Sequence, residues 1–154
     1  MTNRTTIERE NPNEHNRSRT ADGGCQRRCN VVECRSDPVD EFVERAAVPT
    51  DAPAIQQLVD GIFHEYGFAI ALDGVDRHLT EPSTYFRERG GEFWVVDDGG
   101  RIMATVGALP HENNAAELKA LYVHPSIRRQ GWGRRLTTLV MDYARTTGKE
   151  RVIL

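Results

Sequence analysis

Six consecutive residues, Arg128-Arg129-Gln130-Gly131-Trp132-Gly133, combine what is needed to hold a phosphorylated ligand without a metal: cationic side chains and glycines. Arginine presents a planar fork of N–H donors that matches phosphate oxygens, and Arg134 and Arg135 extend the charge directly after the loop. Gly131 and Gly133 let the backbone approach such a group closely. The residues that follow, Trp132, Leu136, Leu139, Val140, Tyr143 and Ala144, recur at helical spacing, and Gly148 closes the run. The loop therefore feeds a helix N-terminus, where free N–H groups and the positive end of the dipole favour an anion such as a pyrophosphate. Other phosphate loops fit less well. The Gly-Lys-Ser or Gly-Lys-Thr of a Walker loop is missing, and Leu136 stands where a dinucleotide fingerprint has its third glycine.

The elements around the loop follow from period and punctuation. Ahead of it, Glu117 to Val123 reads as a strand ended by His124-Pro125, because proline cannot donate to a ladder. Leu118 is out of phase with Leu121 and Val123, which fits either a bulge or a strand buried on both faces. Glu92 to Asp97 and Arg101 to Leu109 read as antiparallel neighbours joined by the turn Asp98-Gly99-Gly100. Further back, Phe42 to Ala47 alternates as a first strand. A helix then carries Ile55, Leu58, Val59, Ile62, Phe63 and Tyr66 on one face, with Thr50 or Asp51 as its cap and Pro53 in its first turn. Between Gly67 and Gly91 the pattern is less regular, with a loop or helical turn over Leu72 to Leu79 and a short helix begun by Pro82-Ser83.

Composition sets the outer bounds. A chain of 154 residues suits one domain, and residues 1–40, without an aromatic and with few aliphatics, are expected to form a disordered tail ahead of a domain at 41–154. Cys25, Cys29 and Cys34 lie in that tail at spacings unlike zinc sites, so no metal is expected. A net charge of -3 with scattered Lys and Arg calls for neither nucleic acid nor an anionic membrane. With no apolar run of about 20 residues and no signal-like start, the expected address is cytoplasmic.

The loop from Arg128 to Gly133 resembles the [Gln/Arg]-x-x-Gly-x-[Gly/Ala] signature of the GNAT N-acetyltransferases. Leu118-x-x-Leu121-Tyr122-Val123-His124-Pro125 resembles that family's fourth strand, and the order of elements from Phe42 to Leu154 resembles its N-terminal part. The resemblance implies an α+β fold, a mostly antiparallel twisted sheet flanked by helices. It implies acetyl-CoA as co-substrate, bound by Arg128, Arg129, Gln130, Gly131, Trp132, Gly133 and Arg134 with its pyrophosphate on the backbone N–H groups from Arg129 to Arg134, and its pantetheine arm along Leu121, Tyr122 and Val123. A backbone N–H near Leu121 would face the thioester carbonyl.

By the same resemblance Glu117 is the base that takes a proton from an attacking amine, with His111 and His124 as lesser candidates and Tyr122 as packing or cofactor contact. The implied partners are acetyl-CoA and an amine acceptor, with a homodimer left open. Arg151 to Leu154 reads as the start of a fifth strand. The family's remaining helix, with its thiolate-protonating tyrosine, and its last hairpin are expected beyond it, so the domain is expected to be incomplete. The alternative reading is an acyl-CoA-binding remnant without turnover; a phosphate- or RNA-binding module is a third, against which the lack of interleaved aromatics argues. Asp73, Asp76 and Glu81 lean towards a cationic acceptor without selecting one.

Overall fold

The computed structural model describes residues 42–154; the expected tail and its cysteines lie outside the described residues. In chain order the elements are β1 (Val43–Ala46), α1 (Ala52–Glu65), α2 (Pro82–Glu88), β2 (Glu92–Asp98), β3 (Arg101–His111), β4 (Ala115–Val123), α3 (Trp132–Thr146) and β5 (Arg151–Ile153). Single 3-10 turns stand at Pro49–Asp51, Arg77–Leu79 and Pro125–Ile127. The five strands form one sheet in sequence order, antiparallel from β1 to β4 and parallel between β4 and β5. The expected α+β class, a mostly antiparallel sheet flanked by helices, is what folds.

Turn chemistry sets this order. Gly99 and Gly100 take φ of 57° and 97° between β2 and β3, and Asn113 and Asn114 take 57° and 58° between β3 and β4. The glycine pair closes a two-residue hairpin between Asp98 and Arg101, and the asparagines sit in a three-residue loop between His111 and Ala115, where asparagine is among the few non-glycine residues that tolerate a left-handed conformation. The parallel pairing of β4 with β5 requires a crossover, and α3 supplies it.

Alternation along β2 separates two cores. Phe93 and Val95 join the side chains of α1 and α2, whereas Trp94 and Val96 join those of α3. Ile55, Leu58, Val59 and Ile62 are buried on α1, and Leu136, Val140 and Ala144 on α3, as their spacing predicts. Burial of the valine, leucine and isoleucine side chains among them contributes about 1.5–3 kcal/mol each, enough to fix which helix face meets the sheet. Tyr66 departs from expectation: α1 ends at Glu65 and the tyrosine is exposed.

Asp51 stands at the α1 N-cap but makes no cap bond. Its carboxylate accepts instead from the Arg45 guanidinium at 2.7 and 2.9 Å and from the Val48 N–H at 2.8 Å. Arg45 also donates to Asp97 on β2 at 2.7 Å. One arginine thereby ties β1, the turn before α1 and β2 together.

Candidate functional site

The slip of phase in β4 is a bulge. Thr105 pairs with Tyr122 and Gly107 with Lys119, so Ala120 and Leu121 together face the single residue Val106. Ala120 takes φ of 52°, a left-handed conformation that costs a non-glycine residue about 1–2 kcal/mol. Thr105 Oγ1 donates to the Ala120 carbonyl at 2.8 Å, giving the displaced peptide a partner. The bulge resets the parity of the strand. Leu118, Leu121 and Val123 lie with the α3 core, while Ala120 and Tyr122 lie with the α1 core.

β5 pairs with β4 only from Ala115 to Glu117. From Leu118 to Val123 that edge of β4 has no partner strand among the described residues. An unpaired strand edge beside a bulge can accept an extended amide-bearing ligand in place of a strand.

Directly after this edge comes the arginine and glycine loop. The Pro125–Ile127 turn, begun by His124, leads into Arg128, and α3 starts at Trp132. Gly131, at φ of 89°, is the N-cap and provides no side-chain bond; Arg129 is also left-handed, at 64°. Among the described residues, none of the backbone N–H groups from Arg129 to Arg134 donates to a protein acceptor. A Cβ on Gly133 would meet nothing within 4 Å, so packing inside the protein does not explain that glycine. Orphan donors, a helix dipole and open space over Gly133 together fit an anion seated on the loop.

The side chains of the loop divide by partner. Arg128 donates to the Val123 carbonyl and to Glu65, Arg135 donates to Glu44 at 2.7 Å, and Gln130 donates to the Ser126 carbonyl at 3.2 Å. Trp132 packs edge-on against Phe42, with ring centroids 5.7 Å apart, and anchors the start of α3. Arg129 and Arg134 have no acceptor among the described residues, which leaves their guanidiniums available to a bound anion.

Glu117 projects from the first half of β4, before the bulge, where its partners are Leu109 on β3 and Ile153 on β5. Its Oε1 lies 2.9 Å from Lys119 Nζ, two residues on and on the same face. The same α1 face carries further ionisable side chains. His78 lies near Tyr85 and Phe86, and burial, with the nearby Lys119 charge adding to it, pushes its imidazole below the ordinary histidine value. Tyr122 packs edge-on against Phe63 at 5.8 Å, and burial, then the Asp76 carboxylate, pushes its phenol up. Asp76 is buried and accepts the Ala71 N–H at 2.9 Å, so it holds the loop between α1 and α2.

His124 stands apart from this face. Its Nδ1 lies 2.8 Å from Ser126 Oγ and its Nε2 3.1 Å from Arg101. It lines a cleft of about 390 Å³ between α1 and the start of β3. His111 lies exposed at the end of β3. The site thus draws Glu117, the β4 edge and the loop onto one strand and the helix after it, and leaves both histidines at the margins. Sequence patterning does not reveal Thr105, Glu65 or Lys119 as site residues. Of these, only Lys119 carried a signal, its spacing of two from Glu117 on a strand.

Among the described residues no group of three or more His, Cys, Asp or Glu could hold a metal ion, and no helix is long and apolar enough to cross a membrane.

Sheet order, bulged fourth strand and glycine loop define a class of acyl-transferase fold, and comparison with known proteins agrees. Residues 56–154 match the model of the acetyltransferase (GNAT) family. The chain is 29% identical over 117 residues to the uncharacterized N-acetyltransferase YjgM of Escherichia coli (strain K12), covering 73% of this chain and 70% of that one. A GNAT-family acetyltransferase from Staphylococcus aureus Mu50 superposes with a TM-score of 0.64 at 19% identity, over 70% of this chain and 68% of that one. A predicted acetyltransferase from Clostridium acetobutylicum, solved with acetyl-CoA, superposes with a TM-score of 0.57 at 17% identity, over 73% and 79%. The chain belongs to the GNAT acetyltransferase family, and it is an N-acetyltransferase.

Proposed function

We propose that the protein transfers an acetyl group from acetyl-CoA to a primary amine by direct attack on the thioester. The observation that carries this reading is the run of N–H groups from Arg129 to Arg134, without a protein acceptor among the described residues, beside a β4 edge without a partner strand among them. The N–H groups, with the Arg129 and Arg134 guanidiniums, would hold the pyrophosphate, and the Leu121 to Val123 edge would hold the pantetheine amides. Acetyl-CoA is the implied co-substrate of the family, and a solved relative of this fold holds it. It supplies an activated acyl carbonyl; the chain supplies position, a polarising N–H and a base.

In the proposed step the amine nitrogen bonds to the carbonyl carbon, the carbon–sulfur bond breaks, and the electron pair leaves with the sulfur. A backbone N–H at the bulge would donate to the oxygen on which negative charge develops. Glu117 would take the proton the amine loses, directly or through a water. Lys119 holds one carboxylate oxygen at 2.9 Å and leaves the other for that proton. The acceptor would be a small molecule, a peptide N-terminus or a lysine, approached from the α1 face where Glu117, His78 and Tyr122 stand.

Calorimetric titration with acetyl-CoA tests the cofactor part, and a panel of amines monitored by thiol release tests the turnover. Acetyl-CoA at about 100 times its dissociation constant should stabilise the fold by about 2.7 kcal/mol and raise the melting temperature accordingly. An unchanged melting temperature at millimolar acetyl-CoA would remove the reading.

A further inference from the structure

Arg128 opens the loop, yet its side chain folds back across the Pro125–Ile127 turn. Nε donates to the carbonyl of Val123, the last residue of β4, at 3.1 Å. Nη1 donates to Oε2 of Glu65, the last residue of α1, at 2.9 Å. The two side chains are 36% and 35% exposed, so the pair is partly shielded from water. Two of the five guanidinium N–H groups are thus committed to the ends of two different elements.

Glu65 sits where a carboxylate is otherwise unfavourable. The C-terminal end of a helix carries partial negative charge, which repels an acidic side chain. Helix stability therefore does not explain a glutamate there, whereas the cation across the gap does. On the other side of Arg128 the chain enters Arg129 at φ of 64°, a conformation that a non-glycine residue keeps only when its surroundings impose it. A fixed guanidinium one residue earlier is such a surrounding.

We propose that Arg128 is a positioning residue: with Glu65 it forms a strap between the end of α1 and the end of β4 that holds the Arg129–Arg134 loop in its anion-binding shape. Arg129 and Arg134, not Arg128, then supply the side-chain charge that meets the phosphates. The proposal rests on the acetyl-CoA reading above. It deepens that reading, because the first arginine of the loop acts through its neighbours and α1 becomes part of the cofactor site without touching the cofactor.

The test uses the full chain as wild type, Glu65→Gln, Arg128→Met, Arg128→Lys, Arg134→Met and the double variant Glu65→Gln/Arg128→Met, each checked for an intact melting transition. Acetyl-CoA dissociation constants are measured by calorimetry at several salt concentrations. The strap predicts that Glu65→Gln and Arg128→Met each weaken binding about threefold to tenfold and that the double variant is no worse than the weaker single. Arg128→Lys should fail to restore binding, since an ammonium cannot reproduce the fork that reaches both partners. The salt dependence should stay as in wild type for Arg128→Met and flatten for Arg134→Met, because only a charge that meets the phosphates is screened against them.

Wild-type or tighter binding by Glu65→Gln, together with a flattened salt dependence in Arg128→Met, would overturn the strap and make Arg128 a direct phosphate ligand. If Arg128→Met does not fold, Glu65→Gln decides alone, since it keeps shape and removes only charge. Wild-type protein that binds no acetyl-CoA fails the underlying reading, a result separate from any difference among variants.

Discussion

At the scale of single residues, the carboxylate of Glu117 and the imidazole of His78 make separable predictions. Glu117→Gln keeps the size of the side chain and removes its ability to take a proton. It should lower kcat about 100-fold or more while leaving the acetyl-CoA dissociation constant within about twofold, because a base contributes roughly 10²–10⁴ and the loop lies elsewhere on the chain. Steady-state kinetics alongside calorimetry would check this, and an unchanged kcat would strike Glu117 from the mechanism. His78 is pushed below the ordinary histidine value of 6.5 by burial first and by Lys119 next, with Asp76 opposing. Since its folded value is the lower one, the unfolded chain binds the extra proton first as pH falls. The stability concerned is therefore complete above about pH 6.5 and is lost as pH drops through the folded value. Urea unfolding from pH 8 to pH 5 should show this decline in wild type and a flatter profile in His78→Gln. Parallel profiles would mean that His78 protonates as easily folded as unfolded.

At the scale of elements, the fourth strand concentrates what patterning could and could not reveal. Its phase slip was visible between Leu118 and Leu121, but the sequence alone left a bulge and a doubly buried strand equal, since both put apolar residues out of step. Geometry separates them through Ala120 at φ of 52° and through the Thr105 hydroxyl 2.8 Å from its carbonyl. Thr105 was not legible as a partner because a buried threonine on a strand reads as ordinary β-branched filling. Thr105→Val removes the donor at nearly constant volume and leaves the Ala120 carbonyl short of a bond. It should destabilise the protein by about 1–3 kcal/mol and lower kcat, since the strand edge that would meet the thioester is set by the same peptide. Ala120→Gly should be neutral or stabilising by up to about 1 kcal/mol, because relief of the left-handed strain is offset by a freer unfolded chain. Denaturant midpoints for the two variants would test the pair, and a destabilising Ala120→Gly would show that the side chain's packing outweighs its strain. The helices are more legible in the sequence than the strand. Both apolar faces appeared at their spacing, while the cap failed: an aspartate before a helix looks the same whether it bonds the first turn or, as Asp51 does, an arginine.

For the whole molecule, that arginine matters more than a cap would. Arg45 joins β1, the turn before α1 and β2, so the first strand and first helix are locked to the sheet that carries Glu117 and leads into the loop. The side chains of Arg45 and Asp51 are 31% and 10% exposed, so removing one partner strands a charge in a poorly solvated place. Arg45→Met should therefore cost about 2–3 kcal/mol at neutral pH, less than a fully buried pair would because Arg45 keeps some water. Acid gives a second readout. The bond from Arg45, opposed by burial and helped by the Val48 N–H, holds the Asp51 carboxyl below its ordinary value of 3.8. A lowered carboxyl value stabilises the fold above 3.8, and that contribution is lost as pH falls through the folded value. Wild type should thus lose stability steeply below about pH 4, and Arg45→Met, already without the bond, should lose less over the same interval, so the two urea midpoints converge as the solution is acidified. If the midpoints instead stay a constant distance apart from pH 7 to pH 3, Arg45 stabilises the fold through its aliphatic packing and the ion pair with Asp51 contributes nothing.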